Sequence, residues 1–190
     1  MGTEFELKYR APRPQVLDAI LEGSSPVTYQ MATTYFDTPD RAFSARKWTV
    51  RVRQENERSV VTCKTPGANN CRGEWDTDGA HPLEALAALV SKGAPGELLE
   101  IRDLIPVCGA RFTRRAVTVD LGDAVAELAC DLGCLTGGGK ECPLCEVEVE
   151  LKSGNPDTVV RYAETIARKF HLEPEPKSKF QRANALSKED

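Results

Sequence analysis

The sequence predicts an α+β protein dominated by antiparallel sheet, on three observations. Eight segments alternate apolar and polar residues at period two, the pattern of strands with one face against a packed layer. Short turn-like stretches join neighbouring segments, including Glu55-Asn56-Glu57-Arg58 and Leu121-Gly122-Asp123, so antiparallel pairing follows. A few further stretches carry helical spacing. With 190 residues, 41% of them apolar, the chain is expected to form one domain, residues 1–190, around one sizeable core.

The strands are expected near residues 3–9, 28–36, 47–53, 59–64, 72–76, 114–121, 124–131 and 146–152. A first helix follows Pro14, with Val16, Leu17, Ile20 and Leu21 as its apolar stripe and Gly23 as its stop. Residues 35–39 read as a strand ending in an Asp/Pro turn. The Ala/Leu-rich residues 83–90, and residues 96–104 after them, form a helical insertion between strands. Gly137-Gly138-Gly139 reads as a flexible loop. Asn155 is an N-cap before Pro156 and Asp157, and Val159, Ala163, Ile166 and Phe170 then recur at helical spacing. Taken alone, Ser178-Lys179, preceded by Pro174 and Pro176, reads as a frayed tail.

Charge narrows the function classes. The 25 Lys+Arg against 29 Asp+Glu leave a net charge of −4, which gives no global attraction to nucleic acid or to an anionic membrane. The N-terminus carries Glu4, Glu6, Lys8 and Arg10 with no apolar run of a signal peptide, and no segment is long enough to cross a bilayer. Seven cysteines with no export signal read as reduced thiols in a cytoplasmic protein. Only two histidines are present, which argues against Ser-His and His-rich zinc chemistry.

The charges are sorted by strand. Period two puts Glu4, Glu6 and Lys8 on one face, with Phe5, Leu7 and Tyr9 on the other. Arg51 and Arg53 share a face, as do Glu146, Glu148 and Glu150, and as do Glu127 and Asp131. Arg114 falls on the polar face with Thr118, while Arg115 interrupts an apolar one. Any single strand of this kind is the wet face of an ordinary antiparallel sheet. Taken together they are less ordinary, because like charges on neighbouring same-face positions repel and an enclosed ligand would supply the countercharge. If the sheet closes with these faces inward, the carboxylates suit Mg²⁺ or Mn²⁺ and the guanidinium and ammonium groups suit phosphoryl oxygens.

Glu4-Phe5-Glu6-Leu7-Lys8 resembles the ExExK motif of the CYTH superfamily, the triphosphate tunnel metalloenzymes. The resemblance continues through Tyr35-Phe36-Asp37-Thr38-Pro39, Arg51-Val52-Arg53, Lys64, Arg72 to Glu74, Phe112 to Arg114 and Asp131. It ends with Glu146 to Glu150, Ser153-Gly154, and Ser178-Lys179 followed by Arg182. It implies an eight-stranded antiparallel β-barrel, the triphosphate tunnel, flanked by helices and binding a small anionic substrate with Mg²⁺ or Mn²⁺. The bacterial inorganic triphosphatase branch is the most similar, and the helical CHAD domain that follows many such proteins is not expected here. Carried over by position, Glu4, Glu6, Asp131, Glu146, Glu148 and Glu150 are implied metal ligands. Lys8, Arg51, Arg53, Lys64, Arg114, Lys179 and Arg182 are implied substrate ligands, with Glu74 holding a basic side chain or a water among them. Lys8, Glu4, Glu6 and Glu148 are the implied catalytic set, and the tail is expected to fold back to deliver Lys179 and Arg182.

The expected reaction is hydrolysis of inorganic triphosphate to pyrophosphate and phosphate. Thiamine triphosphatase, class IV adenylyl cyclase and a non-catalytic polyphosphate- or nucleotide-binding module are the alternatives. No aromatic group positioned to stack on an organic moiety is evident, which favours the inorganic substrate. Neither nucleic acid nor a membrane is an expected partner, and a homodimer is admitted. Cys130, Cys134, Cys142 and Cys145 offer half of a zinc knuckle on one reading and apolar fill on the other.

Overall fold

In the computed structural model, which describes residues 2–68 and 71–187, eight antiparallel strands close into a barrel with helices around it. The strands are β1 (Gly2–Arg10), β2 (Val27–Asp37), β3 (Thr49–Glu55), β4 (Arg58–Thr65), β5 (Cys71–Asp78), β6 (Ile105–Asp120), β7 (Ala124–Gly137) and β8 (Lys140–Gly154). Their order around the ring is β5-β4-β3-β2-β6-β7-β8-β1. Strand β1 closes it, pairing with β5 over residues 2–5 and with β8 over residues 6–10.

Closure turns period two into an inside and an outside. Outward side chains of β7 and β8, among them Leu128, Cys130, Val147 and Val149, pack beneath α1 (Pro14–Ile20) and α4 (Pro156–Phe170), which contribute Leu17, Val159 and Ala163. On the other side Val50, Val61 and Cys63 pack on Phe43 of α2 (Ala42–Ala45), Leu86 and Leu89 of α3 (Pro82–Ser91), and Leu98 of a 3₁₀ turn, Gly96–Glu100. Each fully buried Val, Leu or Phe contributes about 1.5–3 kcal/mol, so these two outer layers hold the barrel shut. The Asn155 side chain caps α4 as the sequence predicts, accepting the Asp157 amide at 3.0 Å.

Several elements differ from expectation. Strands β6, β7 and β8 extend well past the predicted ends because the alternation changes phase there while the strands continue. At that end the inward positions Ala110, Phe112, Leu135 and Leu144 are apolar in place of charged, packed on Ala183 of α5 (Lys179–Leu186). Gly137 and Lys140 are paired, so Gly138 and Gly139, at φ 58° and 76°, form a two-residue primed hairpin turn in place of a flexible loop. A β-carbon on Gly137 would lie 2.2 Å from the Ala183 carbonyl oxygen, so glycine there is what admits α5. Residues 96–104 give only the short 3₁₀ turn before the chain extends toward Pro106.

The segment after α4 is no frayed tail. Its two-residue strand β9 (Glu173–Pro174) pairs with Tyr9 and Arg10, and Ser178 and Gln181 form a reciprocal capping box that starts α5. The zinc reading is also corrected. Cys145 lies in the outer layer beneath α4 while Cys142, three residues away on the same strand, lies in the inner layer beneath α5, so they cannot ligate one ion. Burial pushes the Cys130 thiol up to about 12. Among the described residues no helix is long and apolar enough to cross a membrane.

Candidate functional site

The barrel encloses a charged cavity of about 310 Å³. Two ion-pair walls face each other across it, and strand register builds both. On the wall of β1, β4 and β5, Glu4 stands opposite Arg72 and Lys64 opposite Glu74. The Lys64 Nζ donates to Glu4 at 2.8 and 2.7 Å and lies 3.1 Å from Glu74, while the Arg72 Nε donates to Glu4 at 2.6 Å and its Nη2 to Glu6. Burial alone would raise the Glu4 carboxyl, but Lys64 and Arg72 outweigh it and hold the group at about 2. Glu74 goes the other way, raised by burial against the pull of Lys64.

The wall of β6, β7 and β8 is completed by α5. Arg114 grips Asp131 bidentately at 2.8 and 2.7 Å and also donates to Glu148. The Lys179 ammonium sits among three carboxylates, 2.8 Å from Asp131, 2.6 Å from Glu148 and bonded to Glu146. Arg182 donates to Glu146 and lies 3.7 Å from Glu175. Burial and the neighbouring Glu148 charge push the Glu146 carboxyl up despite Lys179, whereas Lys179 and Arg114 overcome burial to hold Glu148 well below the usual range. Lys179 is itself held protonated, its burial outweighed by Asp131, Glu148 and Glu146.

Two cations between the walls are less satisfied. The Arg53 Nε donates to the Thr33 hydroxyl at 3.2 Å, and the guanidinium has no ion pair among the described residues. Burial, then Arg51 and Arg114, lowers it to about 10. Beneath it the Phe112 ring lies 5.7 Å from Arg53, 5.8 Å from Arg114 and 5.3 Å from Lys179, an aromatic floor that stabilises cations without neutralising them. Arg51 lies 3.7 Å from Glu74, and its buried Nε has no hydrogen-bond partner among the described residues.

Residues 2–183 match the CYTH domain family. The chain belongs to this family. An inorganic triphosphatase of Haemophilus influenzae is 30% identical over 140 residues, which cover 72% of this chain and 40% of that protein, so this chain spans less than half the relative's length. A Hippeastrum protein described as a putative adenylyl cyclase with a dominant triphosphatase activity has the same fold, with TM-score 0.66 at 18% identity over 96% of each chain. PH1819 of Pyrococcus horikoshii shares it too, with TM-score 0.64 at 16% identity over 97% of this chain and all of that one.

In this CYTH protein the cavity is bordered by Glu4, Glu6, Lys8, Arg51, Arg53, Lys64, Glu74, Arg114, Glu148, Glu150 and Lys179, all singled out from sequence. Asp131, Glu146 and Arg182 stand behind that lining, where Asp131 and Glu146 are fully buried and bind the cations that reach forward. Arg114 points inward, and Arg115 points outward to Asp18 at 2.8 Å. Sequence reasoning missed Arg72, Thr62, Asp76 and Lys152 in the lining, although Arg72 and Asp76 share the parity of Glu74. The resemblance places Tyr35 only in the stretch 35–39, which it implies shapes one tunnel wall, and Phe180 was not singled out; both border the cavity, with ring centroids 5.3 Å apart. Phe180 was hidden because its helix sits in a segment that reads as tail. Tyr35 reaches the cavity from the strand above the Asp37 turn, where the buried Asp37 carboxylate accepts the Thr38 and Phe43 amides at 2.8 and 2.9 Å.

The carboxylates are hard oxygen donors of the kind a divalent cation takes, although in this arrangement the Lys179 ammonium occupies the space among Asp131, Glu146 and Glu148. Asp131, Glu146 and Glu148 each present an oxygen, all within 4.8 Å of one another. Across β7, β8 and β1, Glu127, Glu150 and Glu6 occupy successive paired positions, a row of like charge that sheet packing alone would disfavour.

Proposed function

We propose that this CYTH protein hydrolyses inorganic triphosphate to pyrophosphate and phosphate with Mg²⁺ or Mn²⁺. The observation that carries the reading is the pair Arg51 and Arg53. Among the described residues Arg53 is a buried guanidinium without a carboxylate, and Arg51, though 3.7 Å from Glu74, keeps a buried Nε without a hydrogen-bond partner, so the pair has capacity for an anion that the cavity has room to hold. The similarity to an inorganic triphosphatase supports the same substrate class.

In this reading Lys8, Arg51, Arg53, Lys64, Arg114 and Lys179 hold the phosphoryl oxygens and stabilise charge that builds as the terminal bridge breaks. Water attacks the terminal phosphorus, the bond to the bridging oxygen breaks, and pyrophosphate leaves. Glu4, Glu6, Glu148 and Glu150 border the cavity and would hold the metal, with Asp131 and Glu146 behind them. Bound there, a divalent cation supplies charge neutralisation at the phosphoryl oxygens. Arg182 acts through Glu146, and Glu74 holds Lys64 and Arg51 in place.

Tyr35 and Phe180 favour a second reading, an organic triphosphate whose ring meets theirs, with thiamine triphosphate and ATP as the candidates. Phosphate release from inorganic triphosphate, thiamine triphosphate and ATP, with and without each metal, separates the two. The expected result is metal-dependent turnover of inorganic triphosphate that falls about 100-fold or more in Glu4→Gln and Glu148→Gln. Tight binding without turnover would leave a binding module, and cyclic AMP plus pyrophosphate from ATP would indicate a cyclase.

A further inference from the structure

Three cations meet one aromatic ring inside the barrel, with unequal support. Phe112 is buried, and Arg53, Arg114 and Lys179 place their charged groups over its ring at 5.7, 5.8 and 5.3 Å from the centroid. Two of them have anions of their own: Arg114 binds Asp131 and Glu148, and Lys179 binds Asp131, Glu146 and Glu148. Arg53 has no ion pair among the described residues. What supports this buried guanidinium is neutral, the Phe112 ring and the Thr33 hydroxyl that accepts its Nε at 3.2 Å.

Strand register explains how an arginine of β3 reaches a ring of β6. Thr33 on β2 lies between them, opposite Arg53 on one side and Ala110 on the other, and Phe112 is opposite Met31 on the same face of β2. The Arg53 side chain therefore crosses β2 above Thr33, and the crossing is open because Thr33 and Ala110 are both short. On its other side Phe112 is paired with Gly133, where a β-carbon would lie 2.5 Å from the Phe112 Cα, so β7 sends no side chain toward the ring. A guanidinium taken out of water has to be compensated. A carboxylate would do so by cancelling its charge, whereas an aromatic face and a hydroxyl oxygen do so and leave the charge in place where Arg53 borders the cavity.

We infer that Phe112 is a positioning residue for the anion in the tunnel: together with Thr33 it holds Arg53 at the cavity as a guanidinium that no protein anion neutralises, and it sets the affinity for a phosphoryl group through that contact. The inference rests on the triphosphate reading of the tunnel. It separates Arg53 from Arg114 and Lys179, whose carboxylates hold them whether or not the ring is there.

Titration calorimetry of the intact protein with inorganic tripolyphosphate, with EDTA present to stop turnover, tests it. Replacing Phe112 by monofluoro- and then by trifluorophenylalanine draws electron density from the ring face and changes its volume little, so affinity should fall in two steps to about tenfold below the wild type. Phe112→Leu, which fills the space without an aromatic face, should cost at least as much, and Phe112→Tyr should stay within about twofold of the wild type. In an Arg53→Gln background the trifluoro replacement should cost less than about twofold, because the group through which the ring acts is gone. Unchanged affinity across the fluorine series would overturn the inference. So would a loss that persists undiminished in Arg53→Gln, or one that follows the thermal midpoint of each variant and not its fluorine count, since either would make the ring a packing group. Failure of the wild type to bind tripolyphosphate at all would instead overturn the triphosphate reading, and the positioning role with it.

Discussion

The two walls of the tunnel contain the same kinds of groups and use them differently. On the α5 side Asp131 and Glu146 are both at 0% exposure, and their partners Arg114, Lys179 and Arg182 converge from β6 and from a helix far along the chain. On the β1–β4–β5 side every partner comes from those three neighbouring strands, and Glu4, Glu6, Lys64, Arg72 and Glu74 all border the cavity. The first wall is a buried network whose visible members are held from behind. The second is an open one whose members can exchange each other for a ligand. Burial, more than composition, separates a charge that positions from a charge that binds.

The contrast is broken most severely at Asp131. Asp131→Ala leaves Arg114 and Lys179 buried with one anion fewer, and removing one partner of a buried pair costs about 3–5 kcal/mol. Urea denaturation should show that loss, and Glu74→Ala on the other wall should cost clearly less because Lys64 keeps both of its bonds to Glu4. Equal losses from the two substitutions would mean the walls are energetically alike.

Acid titration sharpens the same comparison on the open side. Glu4 falls from an ordinary 4.5 to about 2 in the folded protein. A carboxyl depressed by folding contributes its stability above the unfolded value, so the contribution is full above pH 4.5 and is lost as pH falls toward 2. The shift corresponds to about 3 kcal/mol. Stability measured against pH should therefore drop through that window in the wild type, and the drop should shrink in Glu4→Gln. An unchanged slope would show that Lys64 and Arg72 do not hold Glu4 as described.

Much of this was legible in the sequence because period two survives wherever a strand has one charged face and one apolar face. Glu4, Glu6, Lys8, Arg51, Arg53, Glu148 and Glu150 all lie on the side that alternation assigns, and closure turns that side inward. Legibility ended where the alternation changes phase, at Ala110, Phe112, Leu135 and Leu144, since there the apolar side chains turn inward onto α5 while Arg111, Leu132 and Pro143 are exposed, so the face that is charged elsewhere becomes the packed one. It ended also at Asp37, whose carboxylate organises α2 through bonds to Phe43 and Ser44 that no period encodes. Sequence could not rank the acidic residues by depth either. Asp131 and Glu148 sit on equally plausible inward positions, yet only Glu148 reaches the cavity, because α5 covers the end of the wall where Asp131 lies.

The smallest expected effect lies one residue from one of the largest networks. Arg114 and Arg115 are adjacent in sequence and opposite in direction: Arg114 binds Asp131 and Glu148 inside the barrel, and Arg115 reaches out to Asp18 on α1 at 2.8 Å. Asp18 is 68% exposed, so the pair is screened by water and held by a flexible partner. Such a pair is worth about 0–1 kcal/mol. Arg115→Ala should thus move the urea midpoint little and leave triphosphate binding unchanged, and raising the salt concentration should erase what difference there is. A loss of several kcal/mol, or weakened binding, would show that the outer layer beneath α1 and α4 transmits strain to the tunnel. Barrel closure would then couple the two faces that the β6 alternation keeps apart.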